Sequence, residues 1–248
     1  MRIRRIVPLV VLPLVLLACG GGDAAPKEKP LNDEQLVLMS TVFNNNYIDK
    51  GAEFELTTVT APGGTTITMN GQVDFVHLEG YATVTGGAVP HPVTHVLWGK
   101  DVVLERRPSA AGILQKQAGR RIEFVARPVD LEHRRLDAIL ATVIGMSTKS
   151  PENVQILRQK EGSAFLRDDT LRGTPVVVMR YGTRVILWVD PVTQRLLRFE
   201  GNSAAGNMPI IVDLVKRVVP RIPTPKKEYV ANYDELGGTF LQVAPTSP

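Results

Sequence analysis

Cysteine is nearly absent from this chain of 248 residues, which contains Cys19 and no other. A single cysteine excludes an intrachain disulfide, so the fold depends on its apolar core. The sequence also has no glycine-rich phosphate loop of the kind that binds nucleotides.

The N-terminus has the pattern of a bacterial lipoprotein signal peptide. Three arginines among the first five residues precede an apolar run over residues 6–17. This run is too short to span a bilayer, which needs about 20 apolar residues. Residues 16–19, LLAC, resemble a lipobox, whose cysteine thiol receives a diacylglycerol and becomes the first mature residue. We therefore predict a signal peptide over residues 1–18, an S-diacylglycerol, N-acyl anchor at Cys19 and a flexible tether over 19–30. The alternative is a buried cysteine in an ordinary N-terminal helix.

The charge balance argues against a nucleic-acid partner. The chain has 29 basic and 25 acidic residues, and removal of the three N-terminal arginines leaves 26 against 25. With the charges so balanced, the basic excess of the full sequence is a poor argument for a nucleic-acid partner. Residues 31–248 are long enough for one core, and we expect a single monomeric domain on the extracytoplasmic face of the cell membrane.

Hydrophobic periodicity predicts an α+β fold. Helical spacing of apolar residues indicates helices over 31–49 and 130–145, and the first should fray or turn at its three asparagines, 44–46. Period-two alternation predicts strands over 52–58, 67–75, 76–84, 95–98, 102–105, 121–127, 154–158, 164–167, 174–181, 184–190 and 195–200. Residues 210–217 fit a strand or a short helix, and 220–225 form an extended connector. Without a βαβ rhythm, these elements favour a large curved antiparallel sheet covered by helices.

The residues that carry chemistry are poorly placed for catalysis. The segment GNSAA at 201–205 differs at one position from the G-x-S-x-G nucleophile elbow, in which Ser203 would be the nucleophile. The elbow needs a strand-to-helix turn, which is not expected here. His91 and His95 would lie about 13 Å apart in a strand, too far to share one metal ion. The neighbouring carboxylates Asp168 and Asp169 would point to opposite sides of a strand. We expect no catalytic residue, metal or cofactor.

The order of elements resembles a known family. A lipobox and tether precede a helix and meandering strands, followed by DLEHRRLDAILATVIGM at 130–146 and FLRDDTLRGTPVVVMRYG at 165–182. The segment WVDPVT at 188–193 resembles a W-V-D-x-x-T strand end and turn. Together these segments resemble the actinobacterial LppX/LprG group of the LolA-like superfamily. The polar insert GGAVPHPV at 86–93 and the tail after Pro225 depart from that pattern.

The resemblance implies a half-barrel sheet with helices packed on its concave face. The space between them would bind or transport an acyl-chain ligand, which is a lipid, a glycolipid or a lipoprotein. The candidate cavity residues are Phe75, Trp98, Ile139, Leu140, Val143, Met179, Trp188 and Phe199, although ordinary core packing is the commoner interpretation of each one taken singly. Two alternatives remain: a protein-interaction or sensor module at the membrane with no open cavity, and a hydrolase that uses Ser203 or a histidine.

Overall fold

The computed structural model describes residues 28–59, 64–86, 92–202 and 209–236. Within them, twelve strands join one curved, unclosed sheet. The strands are β1 (Gly51–Val59), β2 (Thr66–Asp74), β3 (Glu79–Gly86), β4 (His95–Trp98), β5 (Val102–Arg106), β6 (Phe124–Pro128), β7 (Ala164–Leu171), β8 (Thr174–Tyr181), β9 (Val185–Asp190), β10 (Arg195–Asn202), β11 (Pro209–Arg217) and β12 (Val230–Asn232).

The strand order across the sheet is β12-β6-β5-β4-β3-β2-β1-β11-β10-β9-β8-β7. Neighbouring strands are antiparallel, except that β12 runs parallel to β6. The predicted α+β half-barrel is therefore confirmed. Sequence-adjacent hairpins build both halves, and the pairing of β1 with β11 joins the N-terminal half to the C-terminal half.

Four α-helices accompany the sheet in the described part of the chain, besides three short 3-10 turns. They are α1 (Asp33–Ile48), α2 (Ala111–Ala118), α3 (Arg135–Ile144) and α4 (Val154–Gln159). A capping box starts α1, since the Gln35 amide donates to Asn32 Oδ1 at 2.8 Å and the Asn32 amide donates to Gln35 Oε1 at 3.0 Å. Such a box satisfies two of the amides that a helix start leaves without partners.

The asparagines at the end of α1 stay helical, so the predicted fraying is wrong. Asn44 Nδ2 donates to the carbonyl of Thr148 at 3.1 Å, and Asn46 Nδ2 donates to that of Met146 at 2.6 Å. These amides satisfy carbonyls of the chain that follows α3, about 100 positions away. Long-range hydrogen bonds thus override a poor local helix propensity.

Three further elements differ from the sequence prediction. Residues 154–159 form a helix rather than a strand, because Asn153 caps it through the Gln155 amide at 2.8 Å and Leu157 enters the core. The helix α3 begins at Arg135, since Asp130 instead holds a turn through the His133 amide. The helix α2 and the parallel strand β12 had no clear sequence signal.

The first described residues lie along the β7 edge of the sheet. Lys29 and Phe165 exchange backbone hydrogen bonds of 3.0 and 2.8 Å, and Arg180 forms an ion pair with Glu28. The end of the predicted tether is therefore fixed to the domain, where it covers part of an edge strand. Among the described residues, no helix has the length and apolar character needed to cross a membrane.

Candidate ligand-binding face of the sheet

The two faces of the sheet carry different side chains. In β9, Leu187 and Val189 enter the large core cluster, whereas Ile186 and Trp188 belong to a separate cluster. Successive strand residues point to opposite faces, so the two clusters lie on opposite sides of the sheet. We call the side under α1 and α3 the concave face and the other side the convex face.

The concave face carries a continuous apolar cluster. It draws side chains from nine strands, β1–β5 and β8–β11, and from α1, α3 and α4. Seven of the eight predicted cavity residues lie in it, each at most 8% exposed: Phe75, Trp98, Ile139, Leu140, Val143, Met179 and Phe199. The sequence therefore predicted which side chains share this interior.

Helix α3 covers the concave face with one apolar stripe. Ile139, Leu140 and Val143 follow the three- and four-residue spacing that places side chains on one side of a helix. Their exposed fractions are 2%, 1% and 0%. From α1, Leu36 and Met39 enter the same cluster, so two helices cover one apolar surface.

Trp98 is the one predicted cavity residue of this interior whose side chain has a hydrogen-bond donor. Its ring makes an edge-to-face contact with Phe54, with the ring centroids 6.1 Å apart. Gly80 lies opposite Trp98 in register, and a Cβ there would come within 2.3 Å of Trp98 Cζ2. The Trp98 Nε1–H is buried and has no acceptor among the described residues. An apolar interior that also contains a free donor suits a ligand with an apolar chain and an oxygen acceptor.

Trp188 is the predicted cavity residue that the structure does not bring to this site. It lies on the convex face with Val176 and Val178. Arg167 and Arg198 stack over its ring, with their Cζ atoms 5.1 and 5.3 Å from the ring centroid. Its segment is apolar on both faces, so periodicity alone could not assign Trp188 to a side.

A buried ion cluster interrupts the apolar concave face near the β12 edge. Arg127 Nε lies 2.8 Å from Glu105 Oε1, and Arg127 Nη1 and Nη2 each lie 2.6 Å from an oxygen of Asp137. Arg107 adds a second cation at 2.8 Å from Glu105. Burial raises the pKa of Glu105, but Arg127 and Arg107 outweigh burial and hold that pKa below its ordinary value.

The sequence prediction missed this cluster because it assigned the wrong face of β6 to the interior. The predicted strand over 121–127 has Ile122, Phe124 and Ala126 on its apolar face, and of these Ile122, which precedes β6, is buried in the structure. In the structure Val125 is buried beside Leu114 and Leu236 in a second, smaller apolar cluster, and its face partner Arg127 joins the ion cluster. The available signal was Glu105, a charged residue two positions after Val103 and therefore on the same face of β5.

One group of three potential metal ligands lies within the described residues, at the β2–β3 turn. Asp74, His77 and Glu79 have ligand atoms within 4.8 Å of one another. Asp74 Oδ1 accepts the amides of Val76 and His77, and Asp74 Oδ2 lies 2.9 Å from His77 Nδ1. Both carboxylate oxygens thus bind the turn itself, which accounts for the group without an ion.

Several predicted residues lie outside the part of the chain that the structure describes. These are the signal peptide, Cys19, His91 and Ser203. The adjacent carboxylates are described: Asp169 pairs with Arg167 at 2.9 Å. Asp168 and Asp169 occupy successive positions of β7, which extends four residues beyond the predicted strand end at residue 167.

Comparison with known proteins gives a structural neighbour of unknown function. No protein-family model matches the chain. No curated protein matches it. A solved structure, an uncharacterized conserved protein from Thermus thermophilus, is similar to it with a TM-score of 0.41 and 8% sequence identity. That similarity covers 80% of this chain and 98% of the other, and it is too distant to carry a functional argument.

Proposed function

We propose that this chain is a lipoprotein, anchored to a membrane through Cys19, that holds the acyl chain of an amphiphile between its concave face and its helices. The LLAC motif, the half-barrel sheet and the apolar interior support this function. Its role is binding or transport and not catalysis. The protein would act at the extracytoplasmic face of the membrane.

Trp98 carries the proposal. A buried donor with no acceptor costs about 1–3 kcal/mol, and the described part of the chain supplies no acceptor for Trp98 Nε1. A carboxyl or ester oxygen of a lipid would accept this hydrogen bond. The apolar side chains around it would contact the acyl chain, and each methylene removed from water contributes about 0.8 kcal/mol. One site would then recognise both parts of an amphiphile.

The competing function is a protein-interaction or sensor module whose interior is filled by its own side chains. The complete burial of Phe75, Val143 and Met179, all 0% exposed, favours it as a second candidate. In that case Trp98 would be a core residue with an unsatisfied donor. The two functions therefore differ in what the Trp98 N–H binds.

Trp98→Phe and Trp188→Phe form a matched pair that separates the two functions. Each removes a buried indole N–H that has no acceptor among the described residues, one on each face of the sheet. The full protein is purified from membranes, and native mass spectrometry detects any bound lipid. Binding of a fluorescent hexadecanoic acid is measured in parallel. We expect Trp98→Phe to weaken binding about tenfold and Trp188→Phe to leave it unchanged.

Three results would contradict the proposal. One is a wild-type protein with no co-purified lipid and no uptake of the fatty acid. Another is an equal affinity of the two variants and the wild type. The third is an intact mass that still includes residues 1–18, because the anchor requires their removal.

A further inference from the structure

The segment that links β11 to β12 crosses the whole N-terminal half of the sheet. In the strand order, β11 and β12 are seven spacings apart, which amounts to about 34 Å at 4.8 Å per spacing. Residues 218–226, which precede a 3-10 turn at Lys227–Tyr229, contain no helix or strand, and Pro220, Pro223 and Pro225 favour an extended backbone there. We call residues 218–229 the strap.

The strap crosses the convex face. The amide of Arg221 donates to Gln72 Oε1 at 2.9 Å, and Gln72 points away from the core because its neighbour Val73 is fully buried in it. At one end, Pro220 packs so closely on Gly51 that a Cβ there would lie 2.2 Å from Pro220 Cγ. At the other end, Arg120 Nη1 donates to the carbonyl of Glu228 at 2.6 Å. Both ends are thus held in place.

A groove of about 590 Å³ lies where the strap meets the sheet. This volume is within the range of small-molecule sites. The side chains used in the argument below are Glu53, Glu55, Asn70, Gln72, Tyr81 and Arg221. They come from β1, β2, β3 and the strap, so elements distant in sequence build one surface.

The strand register brings these side chains together. Glu53 lies opposite Gln72, which in turn lies opposite Tyr81, and Glu55 lies opposite Asn70. Directly opposed side chains have Cβ atoms about 4.5–5.5 Å apart. The Tyr81 ring is held by stacking on His95, with the ring centroids 6.1 Å apart and the planes at 27°.

Much of the hydrogen-bonding capacity in the groove is unused. Among the described residues, Glu53 has no ion-pair partner, and Glu55 has a long contact of 3.4 Å to Arg172. The Gln72 carbonyl oxygen binds the strap, which leaves its amide group as a donor. The groove thus presents carboxylate acceptors, a guanidinium donor, and amide and phenol groups.

This mixture of groups selects among ligand classes. A cation such as choline would suit the carboxylates but would be repelled by Arg221, and a phosphate would suit Arg221 but would be repelled by Glu53 and Glu55. An extended peptide usually adds to a strand edge, whereas β1 and β2 are paired on both sides. A hydroxyl group both donates and accepts, so it can bind every group present.

We propose that the groove under the strap binds a neutral, hydroxyl-rich ligand such as a saccharide. The carboxylates accept from ligand hydroxyls, Arg221 donates to them, and Tyr81 offers an apolar ring to the C–H face of a sugar. This site lies on the convex face and is separate from the apolar interior beneath α1 and α3. It does not depend on the acyl-chain function.

The test is binding of neutral saccharides to the full chain in detergent, with choline chloride and sodium phosphate as charged comparators. The probes are sucrose, lactose and cellobiose, followed by a broad array of neutral glycans, and the readout is saturation-transfer NMR and calorimetry. We expect at least one saccharide to bind. Glu53→Gln should weaken its binding about tenfold through loss of a charge-assisted hydrogen bond.

Glu34→Gln is the matched control, because Glu34 is an exposed carboxylate on α1, outside the groove. It should leave saccharide binding unchanged. The proposal is overturned if no neutral glycan binds, if choline or phosphate binds more tightly than every saccharide, or if Glu53→Gln and Glu34→Gln have the same effect. Fatty-acid binding measured on Glu53→Gln should equal that of the wild type, which separates this site from the interior.

Discussion

The two faces of the sheet bury the same kinds of residue by different means. On the concave face, Trp98 lies beneath helices within an apolar cluster that extends over nine strands. On the convex face, Trp188 lies in a small cluster of four strands, where Arg167 and Arg198 cover it. Their exposed fractions, 3% and 9%, are nearly the same. Burial alone therefore does not distinguish an interior site from a surface patch.

The groups that cover each face decide how much stability a substitution there costs. Helices exclude water from the concave side, so a charge there needs a complete set of partners, as Glu105 and Arg127 have. On the convex side, arginine stems cover apolar surface while their head groups remain in water. We therefore expect substitutions on the concave face to cost much more stability than equivalent substitutions on the convex face.

The largest difference is expected for arginines in the two settings. Arg127→Met leaves the buried carboxylates of Glu105 and Asp137 without their shared cation, and it should lower the free energy of unfolding by about 3–5 kcal/mol. Arg167→Met on the convex face breaks an exposed ion pair with Asp169 and should have little measurable effect. Urea unfolding at neutral pH compares the two. Similar losses would show that the two faces do not differ in this way.

The ion cluster also determines the direction in which pH changes the contribution of Glu105 to the free energy of unfolding. The pKa of Glu105 is lower in the folded chain than in the unfolded chain, so ionisation of this group favours folding. Its contribution is complete above the unfolded pKa of about 4.3 and is lost as the pH falls through the folded pKa. Urea unfolding of wild type in acid should therefore show a loss that Arg127→Met lacks.

Two adjacent residues of β9 should show a smaller difference in stability cost, again with the larger cost on the concave face. Leu187 is fully buried on the concave face, and Leu187→Ala should cost about 2–5 kcal/mol, which is the usual range for a core leucine. Ile186 is half-buried on the convex face, so Ile186→Ala should cost less than half as much. Urea unfolding measures both. An equal cost would mean that the convex cluster is as well packed as the core.

The sequence predicted the concave face better than the convex face for a physical reason. Helix α3 has an apolar stripe at a spacing that only a helix gives, so Ile139, Leu140 and Val143 could be placed together. In contrast, β9 is apolar on both sides, and its pattern is the same whichever way Trp188 points. Local periodicity fixes a helix face, but it fixes a strand face only when the other side is polar.

Elements that depend on distant contacts were outside the reach of the sequence. Strand β12 exists because it pairs in parallel with β6, more than a hundred positions earlier. The last turn of α1 persists because Asn46 donates to the carbonyl of Met146. The groove under the strap needs β1, β2 and β3 in register with Arg221 above them. Its carboxylates looked like ordinary solvent-exposed residues of an alternating strand.

The smallest expected effect concerns two histidines, one on the convex face and one at the β2–β3 turn. Burial beside Tyr81, and then the nearby charge of Arg106, lower the pKa of His95 from its ordinary value, whereas the hydrogen bond to Asp74 raises the pKa of His77. The stability that His95 contributes is therefore present above its unfolded pKa and declines as the pH falls towards the folded pKa. For His77 the contribution to stability is present below the unfolded pKa and is lost as the pH rises through the folded pKa.

NMR titration of the ring protons should give His95 a lower pKa than His77. Arg106→Gln should raise the pKa of His95 alone, and Asp74→Asn should lower that of His77 alone. The reverse order would mean that the convex face is more open to solvent at His95 than its contact with Tyr81 indicates.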